Sequence, residues 1–225
     1  MKTPITTVYF DVGNTLLFPN RQVILAPLHE RNLAPTLELW HAIERRTKNE
    51  FDSRTGDGRP DLGFWSLFHS HLLEELSVRD AGVHEQLVTA MRMSANWTES
   101  RPETRELLNT ISRRYRIGVI SNADGKIAAV LERCGIADCF RSITDSGLVG
   151  HEKPHPAIFQ AALQELGARP EESLYVGDVY SVDYVGATQA GMQAVLFDVC
   201  GAYRGRELPR VESLEELERK LEPSG

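Results

Sequence analysis

From Pro102 onward, short apolar runs alternate with helical stretches, and this alternation leaves few folds open to the chain. Glu103 to Arg113 has the spacing of a helix, and Ile117-Gly118-Val119-Ile120 reads as a buried strand. Lys126 to Arg133 reads as a helix with Gly135 just past its end. Ser142-Ile143-Thr144, Leu174-Tyr175-Val176 and Ala194-Val195-Leu196-Phe197 read as further strands. Pro156 stands where a first helical residue belongs and opens a helix to Leu166, with Gly167 behind it. Ser213, followed three residues later by Glu216, is a capping-box pattern that opens a last helix to Leu221. Apolar strands separated by helices imply a parallel sheet covered on both faces, so the expected class is α/β.

The N-terminal part has a different rhythm. Ile5 to Phe10 is a short strand-like run ending at Asp11. From about Arg21 to Ala95 the periodicity is helical: Leu37, Trp40, Ile43, Thr47 and Phe51 recur on one face, as do Phe64, Leu67, Phe68, Leu72 and Leu76. Val83, Leu87 and Met91 continue the pattern, and Trp40 and Trp65 read as core of this bundle. Asp52 to Pro60 is polar and glycine-rich, with neither strand nor helix pattern, and reads as a loop. The expected organisation is a core formed by residues 1–17 and 97–225, interrupted after its first strand by a helical unit at 18–96. A chain of 225 residues with 41% hydrophobic and 25% charged residues has room for a core domain and a small insert.

The bulk properties exclude several roles. A net charge of −7 argues against a surface built to grip nucleic acid. No stretch approaches the roughly 20 apolar residues of a membrane helix, and Met1-Lys2-Thr3-Pro4 leads into a strand rather than a secretory signal. Cys134, Cys139 and Cys200 lack metal-ligand spacing and read as reduced side chains. The expectation is a soluble, acidic, cytoplasmic protein, with neither membrane nor nucleic acid as partner. Nothing in the sequence sets its oligomeric state.

Ligands of open α/β sheets bind at the carboxyl ends of the strands, and four polar signals fall at such ends. They are Asp11 with Thr15, Ser121-Asn122, Lys153 within His151-Glu152-Lys153-Pro154, and Gly177-Asp178 with Asp183 five residues on. A carboxylate nucleophile, a hydroxyl, an ammonium and an acidic pair suit phosphoryl transfer. Crowded carboxylates repel one another, so Asp11, Asp178 and Asp183 imply a hard cation such as Mg²⁺.

The phrases Phe10-Asp11-Val12-Gly13-Asn14-Thr15-Leu16-Leu17 and Val176-Gly177-Asp178, through Asp183 to Gly186-Ala187 and Ala190-Gly191-Met192, resemble the haloacid dehalogenase (HAD) superfamily. Ser121-Asn122 and Lys153-Pro154 occur in the expected order, and the similarity spans nearly the whole chain. The resemblance is to the C1-capped subfamily I, in a branch lacking the second Asp of the nucleophile motif. It implies a Rossmann-like parallel core with a small helical-bundle cap after the first strand. It implies that Asp11 becomes an aspartyl-phosphate and also ligates Mg²⁺, together with the Gly13 carbonyl and Asp178. Asp183 would ligate the metal or orient its shell, and Lys153 would balance the charge of nucleophile and phosphate. Ser121 would hydrogen-bond a phosphoryl oxygen, Thr15 would support the nucleophile loop beside the substrate, and Asn122 would lie at the substrate. The implied activity is a Mg²⁺-dependent phosphatase on a small phosphorylated metabolite.

Gly13 stands where most phosphatases of that family carry the acid/base Asp, whose contribution is about 10²–10⁴ in rate. Three explanations compete. The substrate could have a leaving group that needs no acid. The cap could supply the group, from His41, Lys48, His69 or His71. Catalysis could be lost, leaving a weakly active protein that binds a phosphorylated ligand or a partner. If only the acid/base is missing, Gly13→Asp should raise activity. Relatives with Tyr there are dehalogenases, which lack the acidic pair kept here. Relatives with Ala there are phosphonatases, which use a cap lysine, and Lys48 is the lone lysine of the insert, read here as exposed on its helix. In the cap loop, Arg54 and Arg59 are candidates for a substrate anion.

Overall fold

The computed structural model describes residues 3–55 and 63–222. The chain opens with β1 (Thr7–Phe10), then β2 (Phe18–Pro19) and the helices α1 (Arg21–Ile24), α2 (Ala26–His29), α3 (Leu37–Thr55), α4 (Phe64–Glu75) and α5 (Ala81–Arg92). It returns through β3 (Trp97–Glu99) to α6 (Thr104–Ser112), β4 (Arg116–Ser121), α7 (Ile127–Arg133), β5 (Ser142–Asp145), α8 (Ser146–Val149) and α9 (Pro156–Leu166). β6 (Ser173–Gly177), a π-helical turn at Tyr180–Tyr184, α10 (Val185–Gln189), β7 (Gln193–Phe197), β8 (Arg210–Val211) and α11 (Leu214–Leu221) complete it.

The sheet runs β5-β4-β1-β6-β7-β8, with every paired neighbour parallel. β1 lies between β4 and β6, with Phe10 level with Val119 and Val176. The carboxyl ends of these three strands therefore lie side by side although they are far apart in sequence. All four residues of β1 are buried, as expected of a strand covered on both faces. Its side chains alternate between two apolar clusters. Val8 and Phe10 join the one shared with the helical insert, through residues such as Trp40, Phe68 and Leu87. Tyr9 joins the one beneath α9, with Ile120, Phe159 and Tyr175.

The expected helix at Pro156 is present, and Gly167 closes it in a left-handed conformation. Ser213 caps α11 by accepting from the Glu216 amide, and the Glu216 carboxylate reaches back to the Glu212 amide at 2.8 Å. Two features depart from the sequence reading. β2 and β3 pair antiparallel where the chain leaves and re-enters the core; neither is long enough to display a period of two. The expected loop at Asp52–Pro60 begins later, because α3 continues through Thr55. Asp52 is packed against the core, where its Oδ1 accepts from the Ser181 amide at 3.0 Å. Gly56 to Pro60 lie outside the described residues.

Asp145, at the end of β5, holds the loops that flank the carboxyl end of β4. Its Oδ1 accepts from the amides of Gly125 (3.0 Å) and Gly147 (2.9 Å), and its Oδ2 from Ile127 (3.1 Å). The side chain is buried, so removing it orphans amides that water does not readily reach. At about 1–3 kcal/mol for each unsatisfied buried group, Asp145→Ala should cost roughly 3 kcal/mol. The melting temperature should fall by about 6–12 °C, as read by thermal unfolding.

Candidate functional site

The chain reverses sharply after β1. The carbonyl of Val12 accepts from the amides of Thr15, Leu16 and Leu17, and Asn14 takes a left-handed φ of 51°. This turn presents Asp11 at the centre of the sheet edge, its own amide donating to the Val176 carbonyl at 2.8 Å. Asp178 follows β6, next to β1, and Asp183 sits in the π-helical turn beyond it. Gly177 permits this approach: a Cβ there would stand 2.5 Å from Cγ of Asp183. One ligand atom from each of Asp11, Asp178 and Asp183 lies within 4.8 Å of the others, and all three residues are buried.

Lys153 organises the carboxylates. Its Nζ donates to Asp11 Oδ1 at 2.7 Å, Asp183 Oδ1 at 2.8 Å and the Tyr175 hydroxyl at 2.7 Å, which uses all three ammonium hydrogens. Burial alone would lower its pKa, but Asp11 and then Asp183 outweigh it and hold Lys153 charged. Asn122 fixes the Lys153 backbone from both sides: its Nδ2 donates to the Lys153 carbonyl at 3.0 Å, and its Oδ1 accepts from the Lys153 amide at 2.7 Å. Tyr175 Oη lies 3.0 Å from the Ile120 carbonyl and 3.1 Å from Asp183 Oδ1. The sequence reading placed Tyr175 in the core without a polar role.

Lys48 is not an exposed helix lysine; it is 1% exposed. Its Nζ lies 2.9 Å from Asp178 Oδ2 and 2.8 Å from Glu44 Oε1, so α3 of the insert delivers an ion pair to the end of β6. Burial opposes its charge, but Asp178 and Glu44 more than compensate and raise its pKa well above the usual lysine value. A lysine held as ammonium cannot form an imine, which weighs against the phosphonatase reading.

The charges do not close among these residues. Asp11, Asp178, Asp183 and Glu44 bring four negative charges, and Lys153 and Lys48 return two positive ones. Burial raises the Asp11 pKa, Lys153 lowers it, and Asp183 and Asp178 raise it again, leaving it at about 7. Asp178 is raised to about 6, by burial and by Asp183 and Glu44 against the pull of Lys48. An excess of two negative charges among buried oxygen ligands fits one hard divalent cation.

A cavity of about 800 Å³ opens over Asp11. Gly13, Asn14, Ser121, Asn122, Lys153, Asp178 and Asp183 line its polar floor. Ser121 is buried at this floor, at the end of β4. Thr15 is 2% exposed and is not in the lining; its Oγ1 is buried without a partner. Of the expected cap residues, Arg54 lines the cavity, on α3 and ion-paired with Glu50 one turn back; Arg59 lies outside the described residues. His41, His69 and His71 are absent from the lining. Burial pushes His69 down to about 3, and His71 Nε2 is 2.8 Å from Glu50.

Trp97 stands against Gly13. A Cβ on Gly13 would stand 3.2, 3.4 and 3.7 Å from three ring carbons of Trp97, so the indole occupies the space beside the nucleophile loop. Trp97 is buried, its Nε1 donates to the Met91 carbonyl at 2.9 Å, and its ring centroid lies 5.3 Å from that of Trp65. Trp65 itself is partly exposed and lines the cavity, so it serves the site as well as the bundle core expected of it.

A family model described as haloacid dehalogenase-like hydrolase matches residues 5–191. Glyceraldehyde 3-phosphate phosphatase of Methanothermobacter thermautotrophicus is 44% identical over 94 residues, 41% of this chain and 42% of that one. Pyrimidine 5'-nucleotidase YjjG of Escherichia coli is 34% identical over 158 residues, 66% of this chain and 67% of that one. Among solved structures, the putative HAD-hydrolase YfnB from Bacillus subtilis superposes with a TM-score of 0.70 at 19% identity, over 98% of this chain and 100% of that one. With the family match covering most of its length and the sheet order and acidic cluster in agreement, the chain belongs to the haloacid dehalogenase-like hydrolases.

Proposed function

We propose that this hydrolase is a Mg²⁺-dependent phosphatase of the EC 3.1.3 type, acting on a small phosphorylated metabolite through Asp11. The observation that carries the reading is the three-way bond of Lys153, which holds a charged ammonium against Asp11 where both line the cavity. The names of the phosphatase and nucleotidase relatives support it. Residues 18–96 act as a cap over a core of 1–17 and 97–225. The three cysteines are free, which suits a cytoplasmic enzyme; no helix among the described residues is long and apolar enough to cross a membrane.

Asp11 attacks phosphorus, the ester oxygen departs with its electron pair, and water then cleaves the aspartyl-phosphate. Lys153 holds Asp11 in place and offers positive charge where phosphoryl oxygens gather. Ser121 donates its hydroxyl to one of those oxygens. Asn122 acts indirectly by fixing Lys153, and Tyr175 orients the Lys153 ammonium. Asp11, Asp178 and the Gly13 carbonyl, with Asp183 beside them, would hold Mg²⁺, which when bound supplies charge neutralisation to the transferring phosphoryl group. A second reading, a phosphate-binding protein of weak activity, draws on Trp97 filling the space beside Gly13.

Purified protein should release phosphate from small phosphate esters only with Mg²⁺ present, and Asp11→Asn should lower the rate at least 10³-fold, as a nucleophile's removal does. Metal binding should also be visible without turnover. Asp11 and Asp178 are held above the unfolded carboxylate value near 3.9. The folded metal-free protein therefore binds more protons than the unfolded chain between about pH 4 and 7, and it loses stability as pH rises through that window. Mg²⁺ at about 100 times its Kd adds ~2.7 kcal/mol, or roughly 5–10 °C. At one fixed Mg²⁺ concentration the rise should be larger at pH 8 than at pH 5.5, where protons compete for Asp11 and Asp178, in a thermal-shift titration. Lys48→Met strips Asp178 and Glu44 of a buried partner and should cost about 3–5 kcal/mol in the metal-free protein, measured by denaturant unfolding.

A further inference from the structure

Apart from Arg54 and Arg92, the described residues that α3, α4, α5 and β3 contribute to the cavity wall are apolar and mostly aromatic. Phe51 comes from α3, Phe64, Trp65 and Leu67 from α4, Met91 from α5, and Trp97 from β3. Trp97 and Trp65 meet at 5.3 Å with planes inclined at 58°, and Phe64 meets Trp65 edge-on at 4.9 Å. Rings so arranged bind a flat apolar body. A hydroxyl-rich sugar laid against these rings would find partners only beyond them, at residues such as Arg54 and Arg92.

The same wall determines which bonds can break. Asp11 attacks from the floor, so in an in-line displacement the departing oxygen points into the cavity, away from the nucleophile. Beside the nucleophile loop that oxygen finds Gly13 and the Trp97 ring. Among the described residues, the carboxylates that line the cavity outside the acidic cluster, Asp124 and Glu152, are exposed, and Asp124 already accepts the Ser94 hydroxyl. An alkyl alcohol is about as weak an acid as water, whose pKa is near 15.7, and must be protonated as it leaves. A phenol has a pKa near 10, like the tyrosine side chain, and can leave as the phenolate.

We propose, as a refinement resting on the phosphatase reading, that the substrate is an aryl phosphate monoester: a phosphate on the oxygen of an aromatic ring that lies against Trp97 and Trp65. Asp11 forms a bond to phosphorus while the bond from phosphorus to the aryl oxygen breaks. Its electron pair leaves as phenolate, which takes a proton from solvent. Water then attacks the aspartyl-phosphate, the bond between phosphorus and the Asp11 oxygen breaks, and the water proton passes to solvent, returning the carboxylate and inorganic phosphate.

The test separates ring from leaving oxygen. kcat/KM is measured with Mg²⁺ for 4-nitrophenyl phosphate and phenyl phosphate (ring, weakly basic oxygen), benzyl phosphate (ring, basic oxygen), acetyl phosphate (no ring, weakly basic oxygen) and glycerol phosphate (neither), with Asp11→Asn as control. Phenyl phosphate should exceed benzyl phosphate by about 10²–10⁴, the span that a positioned acid would otherwise close. 4-Nitrophenyl phosphate should have a KM at least tenfold below that of acetyl phosphate. Trp97→Leu should raise the aryl KM at least fivefold and leave that of acetyl phosphate within twofold; if this variant does not fold, the five wild-type substrates decide alone. Benzyl or glycerol phosphate within tenfold of phenyl phosphate would overturn the proposal while leaving a phosphatase with its acid elsewhere, Glu152 or Asp124 first. Acetyl phosphate matching 4-nitrophenyl phosphate in KM would overturn the role of the aromatic wall. No release from any ester that depends on both Asp11 and Mg²⁺ would remove the phosphatase reading itself, and the proposal with it.

Discussion

The Lys153 ammonium is the point on which the site depends. Three carboxylates cannot share the end of a sheet without a counter-charge, and Lys153 supplies one at hydrogen-bond distance to two of them. Its side chain has one usable position, because Asn122 clamps its backbone and Tyr175 takes its remaining hydrogen. The strand order makes this possible. With β1 between β4 and β6, residues separated by well over a hundred positions meet at one edge.

The second ion pair has a different origin. Lys48 and Glu44 belong to α3, outside the sheet, yet Lys48 meets Asp178 beneath the surface. The insert is thus tied to the core by a buried charge as well as by apolar packing. Buried pairs of this kind are costly to form and costlier to break one-sidedly, which favours a defined seating of α3 on the core. The charge left over after both lysines are counted keeps the cluster from closing as a salt-bridge network, and leaves it able to hold a cation.

Much of this was legible in the sequence, and what was not has identifiable causes. The core strands are apolar on both faces, so they stand out as runs, and their polar terminators Asp11, Ser121 and Asp178 stand out against them. The family match bears out the HAD resemblance. Lys48 was misread because a Glu and a Lys four residues apart look the same on a solvated helix face as on one pressed against a core. Tyr175 was hidden by its strand: an aromatic residue between Leu174 and Val176 reads as packing. The glycines and proline of 56–60 drew the loop boundary too early, although Phe51 and Asp52 had partners that kept α3 going. Trp97 gave no signal, since its role lies in the missing side chain of Gly13, and an absence in one segment does not point to its occupant in another.

The pairing of β2 with β3 sets Trp97 level with Pro19. Its indole nitrogen is bonded to Met91 at the end of the helical insert, while its ring rests on the loop that carries the nucleophile. One residue therefore touches both the end of α5 and the loop that carries Asp11. The helices of such a protein could be exchanged in evolution for others of different shape, changing which molecules fit. The contact between Trp97 and Gly13, made outside those helices, would pass unchanged through every such exchange.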